Sequence, residues 1–435
     1  MVIEKDSSRV QKGAKEKFPG LNSLVDRIQR GELKLRDVES LVEGSSNMAA
    51  KVRRAYYERR AQVKTEHIGQ HSIDFDASHG ARTTNEIGAI QTTLTAAGEL
   101  MVNGSNANGI FPIILAKEEG MLTEGLARGI GVVNSAGGAI ARVQKDGMAR
   151  DIMVTTGGVV ESQALADWIG SAAGQEFIRN EFDKNTGTHG KFVSVESTYV
   201  GTDFHIRFVG TTGAANGMNK VTIASSMTVK SMIEHVREVL GMEIDLASES
   251  GNMCTDKKPS QINNINGRGV SVNVEVTISK EIVAEKFRGL TPNDIAELNT
   301  RKNLVGSSLA GSIGGNAHVA NILVGIYAAT GQDLAHVVSG AQTLTYMKVD
   351  KNGDLYVTLR MPAVEVATYG GATKNETCRE VLQLMGLYGE GDAEGKTRLA
   401  FAEVVAAACL AGELNLIAVQ AQKELALSHG SLKRG

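Results

Sequence analysis

An aspartate followed by two lysines, Asp256-Lys257-Lys258, closes a short polar run that reads SGNMCTDKKP from Ser250 to Pro259. A lysine held beside a carboxylate stays protonated, and a fixed positive charge can stabilise the oxyanion that develops when a carbonyl is attacked. Charge stabilisation of this kind is usually the largest single contribution in carbonyl chemistry. An isolated Asp-Lys-Lys tripeptide reads more readily as a solvated turn, because clustered charges mostly sit in water. His67 and His71 stand four apart, but Gly69 lies between them and no carboxylate cluster accompanies them, so they do not make a metal site. No GxGxxG loop between strand and helix, HExxH, Walker loop or GxSxG is present.

Longer stretches settle the context. SGNMCTDKKPSQINNINGRGVSV, starting at Ser250, and RKNLVGSSLAGSIGGNAHVANILVGIYAATGQD, starting at Arg301, closely resemble class I hydroxymethylglutaryl-coenzyme A (HMG-CoA) reductases, in a soluble archaeal-like form. That resemblance implies a two-step reduction of HMG-CoA to mevalonate and CoA with NADPH, in isoprenoid biosynthesis. It makes Lys257 the oxyanion stabiliser, Glu119 (in Ala116-Lys117-Glu118-Glu119-Gly120) a proton donor, and Asp333 the carboxylate that links them. His429, in the C-terminal tail, would protonate the departing CoA thiolate, a task that suits imidazole because its pKa lies near neutrality.

Substrate contacts carried over by the resemblance are Arg142, Ser250, Asp256, Lys258, Lys302 and Asn321 around the hydroxymethylglutaryl group, with Arg128 on the CoA side. An arginine with two lysines is a suitable cage for the free carboxylate. Cofactor contacts fall on Gly217, Met218, Asn219, Gly370, Gly371 and Thr373; NADPH is the implied donor and NADH is not excluded. No metal is implied.

The cofactor elements also depart most from the family. Its DAMGMN appears as Ala214-Ala215-Asn216-Gly217-Met218-Asn219, without the aspartate; its SRF falls near Gly187-Thr188-His189, without the arginine; its GTVGGGT is Ala367-Thr368-Tyr369-Gly370-Gly371-Ala372-Thr373. Side chains now stand where backbone would approach a cofactor. Two alternatives stay open: a paralogue using another acyl-CoA or reductant, and a non-catalytic CoA-ester-binding homologue.

Elements must bring these residues together. Leu24, Val25 and Ile28, then Leu33, Leu35, Val38 and Leu41, recur at helical spacing. The family's dimer motif survives in part as Ile87-Gly88 and Ala97-Gly98, without its prolines. Further on, a strand at 153–155, a helix at 161–182, paired strands at 191–197 and 204–209, a helix at 229–240 and a strand at 242–246 follow the β-α-β-β-α-β order of a ferredoxin-like unit. A hairpin is expected at 343–349 and 355–361 around Asn352-Gly353, then helices at 376–385 and 397–427.

The expected fold is therefore α+β. It comprises a helical N-terminal domain (1–75), a large substrate-binding and dimerisation domain (76–142 and 261–435) and an inserted ferredoxin-like nucleotide-binding domain (143–248). A catalytic loop (249–260) reconnects the last two.

With 435 residues, 42% hydrophobic and 22% charged, the composition is that of an ordinary multi-domain globular chain. A net charge of -3 and only 4% aromatics argue against a nucleic-acid surface. Three dispersed cysteines, Cys254, Cys378 and Cys409, fit a reducing compartment rather than a disulfide framework. The charged N-terminus lacks a signal-peptide pattern, and the apolar run from Val404, broken at Glu413, is too short to cross a membrane. A cytoplasmic homodimer or homotetramer, with active sites at the subunit interface and HMG-CoA and coenzyme A as ligands, is the expectation.

Overall fold

The computed structural model describes residues 20–62, 64, 69–80 and 83–423. It divides into two units, Met1–Gln91 and Thr92–Gly435. In the first, α1 (Leu21–Gln29) and α2 (Ser46–Ala61) share a small core of Leu24, Val25, Val38, Ala49 and Val52. The Ser45 hydroxyl caps α2 by accepting from the Met48 N–H. Buried Arg53, extending from α2, pairs with Glu39 and, at 3.7 Å, with Glu86 of the NEIG stretch, which is why that stretch belongs to this unit.

The second unit is built on one continuous mixed sheet. Its main path runs β2 (Asn108–Ala116), β1 (Leu94–Gly104), β3 (Ala139–Thr155), β7 (Gly269–Ile278), β9 (Leu355–Val364) and β8 (Leu344–Val349). The 17-residue β3 serves two layers. Its first half pairs with β1 and β7; from Met148 onward it pairs with β5 (Asp203–Gly210) and, near its end, with β6 (Asp245–Ser248). With β4 (Phe192–Val200) beside β5, the antiparallel order β4-β5-β3-β6 is ferredoxin-like. Strand β3 therefore runs unbroken from the large layer into this smaller one.

The small layer packs α4 (Val159–Gly170), α5 (Ala172–Thr186) and α6 (Met218–Leu240) over a core including Ile152, Leu165, Phe182, Phe208 and Met232. The sequence pattern reads one helix at 161–182, whereas the chain breaks at Ser171, whose hydroxyl caps α5 by accepting from Gly174 N–H. A Cβ at Gly174 would lie 2.0 Å from the Trp168 carbonyl oxygen, so only glycine lets the two helices meet so closely. Helix α6 starts at Met218, eleven residues before the apolar periodicity becomes clear, because its first turn carries Asn219 and Lys220.

In the large layer, α3 (Gly120–Ser135), α8 (Val319–Thr330) and the 26-residue α10 (Lys396–Ala421) bury the sheet. Helix α7 (Pro292–Asn299), started by a Thr291–Asp294 capping box, passes into a π-helical stretch, Thr300–Gly306, and α9 (Glu376–Leu384) lies beyond β9. Helix α10 is longer than the apolar run from Val404 implies; by length and composition it could cross a membrane, yet 94% of its apolar window is buried within the protein. It is a core helix, and its two buried carboxylates staple loops. Glu403 accepts from the N–H groups of Ser105, Asn106 and Ala107, and Glu413 from those of Ala317 and His318 and from the Thr345 hydroxyl.

Candidate active site

The loop after β6 is held from both sides. Buried Asp151, on β3, accepts from Met253 N–H through Oδ2 at 2.9 Å and from Gly251 N–H through its carbonyl at 3.1 Å, while His205 of β5 contacts the same Oδ2 at 2.9 Å. Gly251 is needed there: a Cβ would lie 2.3 Å from Asp151 Oδ2 and 2.7 Å from His205 Nδ1. Downstream, Ser260 N–H donates to Gln342 and Asn263 Nδ2 donates to the Thr255 carbonyl. Between these anchors Asn252, Thr255 and Lys257 all have positive φ, at 69°, 44° and 57°. Non-glycine residues keep such conformations only where their surroundings over-determine them, often at functional sites.

Lys257 Nζ lies 2.8 Å from Asp333 Oδ2. The Asp333 carboxylate holds the Lys257 ammonium above the usual lysine range. Burial pushes the Asp333 carboxyl up, and the Lys257 ammonium together with Ala335 N–H more than offset it, leaving it below the usual carboxylate range. Both side chains remain nearly half exposed, at 44% and 45%, so the ion pair faces an accessible space.

Behind the pair lies a charge cluster that sequence reasoning missed. Arg268, fully buried just before β7, pairs with Asp256 at 3.0 Å and with buried Glu365 at the end of β9. His336 Nε2 sits 3.2 Å from both carboxylates, and Ser339 donates to Glu365 at 2.6 Å. Burial raises the Asp256 carboxyl, but His336, Arg268 and Lys257 bring it down to about 2. Asp256, His336 and Glu365 have the spacing of a metal triad, yet the Arg268 guanidinium supplies the cation. Arg268 falls within the stretch that starts at Ser250, but no spacing there points to its partners Glu365 and His336, the residues lying 97 positions apart at the widest.

Glu119 is placed elsewhere. As the residue that precedes α3, it pairs with Lys117 at 2.8 Å, and Lys117 donates to Asn321 at 2.7 Å. Glu119, Arg128, His318, Asn321 and Asn415 line a cleft of about 260 Å³. Asn321 is in the first turn of α8, whereas Asp333 follows its C-terminus, so the 12-residue helix, ~18 Å long, separates them. Within one chain Glu119 and Asn321 are therefore not joined to Lys257 and Asp333.

The other substrate candidates divide similarly. Lys258 donates to the Asp256 carbonyl at 3.1 Å, and Ser250 is exposed on the same loop. Lys302 lies on the π-helical stretch, a rare geometry frequent at functional sites. Arg142, on β3, spends a guanidinium nitrogen on the carbonyls of Asn103 and Ala141. His429 and His67 lie outside the described residues. His71 packs on Phe75, with its Nδ1 3.1 Å from the Ile73 carbonyl.

The altered cofactor elements converge. Thr368 N–H and Tyr369 N–H both reach the Ala214 carbonyl, at 2.8 and 3.2 Å, and Thr212, Ala214, Ala215, Lys220, Tyr369 and Gly370 line a cleft of about 310 Å³. Gly217, with φ 77°, starts α6, leaving Met218 and Asn219 in its first turn. Gly370 and Gly371 also have positive φ, 103° and 56°, and buried Thr373 donates to the Gly370 carbonyl. Tyr369 is drawn aside by Tyr388, whose ring centroid is 5.6 Å away, and by Lys374, whose Nζ lies 4.3 Å from the Tyr369 ring centroid. Gly187–His189 form a short 3-10 turn after α5.

Comparison with known proteins gives a uniform answer. The sequence profile of the hydroxymethylglutaryl-coenzyme A reductase family matches residues 49–434. The 3-hydroxy-3-methylglutaryl-coenzyme A reductase of Pyrococcus abyssi is 39% identical over 414 residues, 95% of this chain and 100% of that protein. That of Methanothermobacter thermautotrophicus is 41% identical over the same length, again covering 95% and 100%. Among solved structures, a class II reductase from Streptococcus pneumoniae bound to NADPH shares the fold at a TM-score of 0.58 and 16% identity, covering 78% of each chain. Another structure of the Streptococcus pneumoniae reductase gives 0.59 at 15% identity, over 91% of this chain and 99% of that one.

Proposed function

Because the chain belongs to the hydroxymethylglutaryl-coenzyme A reductase family, we propose that it reduces HMG-CoA to mevalonate and free CoA with NADPH. The observation that carries this reading is the Lys257–Asp333 pair at 2.8 Å, an ammonium that its carboxylate partner keeps protonated on an accessible loop. NADPH, when bound, supplies one hydride to the thioester carbonyl carbon and a second to the aldehyde that follows.

Each addition leaves negative charge on the carbonyl oxygen, which the Lys257 ammonium is placed to stabilise. After the first, the carbon–sulfur bond breaks and the CoA thiolate leaves, taking a proton for which His429 is the assigned donor. After the second, the alkoxide takes a proton, for which Glu119 is the assigned donor. Two hydrides and two protons balance the conversion of one thioester to one alcohol and one thiol.

The residues at the 310 Å³ cleft fit a dinucleotide. The α6 N-terminus presents main-chain N–H groups, as helix starts do for phosphates, and Lys220 stands beside them. Gly217 lets the chain pass close to Thr212, where a Cβ would meet that side chain at 2.2 Å. Met218, Asn219, Gly370, Gly371 and Thr373 are the proposed remaining cofactor contacts.

A second copy of the chain completes this site. Glu119, Arg128 and Asn321 lie at one end of α8 and Lys257, Asp256 and Asp333 at the other, a separation that supports a site in which each set comes from a different subunit. A homodimer, or a tetramer made from it, supplies that arrangement. Ser250, Lys258, Lys302 and Arg142 are proposed to surround the hydroxymethylglutaryl group, and a cytoplasmic location accords with this chemistry.

The test supplies HMG-CoA with NADPH or NADH and follows nicotinamide oxidation together with thiol release. Two cofactors oxidised per thiol released is the expected stoichiometry; absence of turnover with both donors in a folded oligomer overturns the reading. A paralogue acting on another acyl-CoA or with another reductant is favoured only by Ala214 and Tyr369 at the cofactor cleft. It predicts turnover with a different ester or donor and retention of the Lys257 requirement.

A further inference from the structure

The geometry points to Arg268 as a positioning residue that couples the acyl loop to the cofactor helix, so that the two half-sites order one another. This inference rests on the reductase reading for its ligands, but not for its structural test.

Arg268 touches three elements with one guanidinium. One nitrogen pairs with Asp256 Oδ1 at 3.0 Å, immediately before Lys257, and with Glu365 at the end of β9. The other donates to Met218 Sδ at 2.8 Å, in the first turn of α6. Met218 is thereby linked to the residue adjoining Lys257 through one rigid, planar group. Arginine is suited to this because its fork fixes several partners in one plane, which a lysine point charge does not.

Two further contacts tie in the rest of the site. His336 Nε2 bridges Asp256 and Glu365, and it follows Asp333 by three residues, so the turn bearing the Lys257 partner is drawn to the same cluster. Gln332, preceding Asp333, exchanges two hydrogen bonds with Ala367: its side chain accepts from Ala367 N–H at 2.7 Å and donates to the Ala367 carbonyl at 2.9 Å. Ala367 is two residues from Tyr369 at the cofactor cleft. Acyl loop, aspartate turn and both proposed cofactor elements are therefore linked, the Gln332–Ala367 contact joining the Arg268 cluster through the backbone from Gln332 to His336.

The loop has reason to respond. Asn252, Thr255 and Lys257 hold positive φ, conformations that persist only while neighbours impose them. Movement of Met218 when a dinucleotide occupies the α6 N-terminus would act through Arg268 on Asp256, and hence on the Lys257 backbone. Reciprocity then requires that an acyl substrate on the loop favour the cofactor.

The experiment uses full-length protein and two variants. Arg268→Lys keeps the charge and loses the fork; Met218→Leu keeps the volume and loses the sulfur acceptor without touching an ion pair. Hydrogen–deuterium exchange of residues 250–259, measured without ligand, is expected to quicken by about five-fold or more in Arg268→Lys and in the same direction in Met218→Leu, the lower bound being a typical site-to-site coupling. Unchanged exchange in both variants, with near-ultraviolet circular dichroism intact, overturns the inference.

A second measurement reads the coupling itself. In the wild type, HMG-CoA is expected to tighten NADPH binding; in Arg268→Lys that factor should fall toward one, kcat should drop, and KM for HMG-CoA at saturating NADPH should rise by the same lost factor. A wild-type coupling factor in Arg268→Lys sinks the proposal even if the loop exchange changes. Should the wild type fail to oxidise NADPH with HMG-CoA, the functional reading fails and the exchange result still decides the role of Arg268.

Discussion

Asn321 and Asp333 stand at the two ends of α8, the first bonded through Lys117 to the Glu119 carboxylate group and the second paired with Lys257. Both are substrate-site residues in the proposed reaction, and the helix between them is ~18 Å long. The proposed machinery is thereby divided between the two ends of this helix.

Subunit mixing tests this directly. Glu119→Gln and Lys257→Ala homo-oligomers should each be inactive, while a mixture reassembled from both should recover about a quarter of wild-type turnover. Half of randomly formed dimers are hybrids, and each hybrid holds one intact site of two. No recovery after verified exchange would place Glu119 and Lys257 in one subunit's site.

Much of this arrangement was readable before the fold was known. The hairpin around Asn352-Gly353 and the β-α-β-β-α-β succession of the small layer follow from turn chemistry and alternation, whereas the Asp256-Lys257-Lys258 loop stood out only through the resemblance of the stretch that holds it. Arg268, Glu365 and His336 were not readable, because a buried ion cluster is assembled by packing and leaves no period in the chain. The same holds for Asp151: the hydrogen bonds it accepts from Met253 N–H and Gly251 N–H, which seat the loop on it, join residues about a hundred positions apart. Periodicity failed where polar residues start a helix, at the first turn of α6 and at the Ser171 break between α4 and α5.

The Asp256 carboxyl carries a stability signature. Its pKa falls from 3.8 to about 2 on folding, so it stabilises the native state above the unfolded value and loses that contribution as pH falls through about 2. The difference corresponds to about 2 kcal/mol. Asp256→Asn should therefore lower unfolding free energy by roughly that amount at neutral pH, with the gap from wild type closing between pH 4 and pH 2. A gap that stays constant with pH would show that the loss is one of packing.

Gly251→Ala probes the seat of the loop. The new methyl would collide with Asp151 and His205, displacing the segment that leads to Lys257. Turnover should fall by about ten-fold or more, with a destabilisation of about 1–3 kcal/mol, the usual cost of overpacking against a buried group. A kcat equal to wild type would mean that the docking on Asp151 does not set the Lys257 position.

Gly217→Ala addresses the cofactor side. The residue has φ 77° and its added Cβ would lie 2.2 Å from Thr212, so alanine suffers both backbone strain and a clash. A destabilisation of about 1–3 kcal/mol is expected from the strain. NADPH affinity should fall further than stability alone explains, by about ten-fold, because the α6 N-terminus must shift to relieve the clash. Fluorescence titration with NADPH, run beside urea unfolding, separates the two effects. An unchanged NADPH Kd in a destabilised protein would move the dinucleotide away from the α6 N-terminus and leave Gly217 a purely structural role.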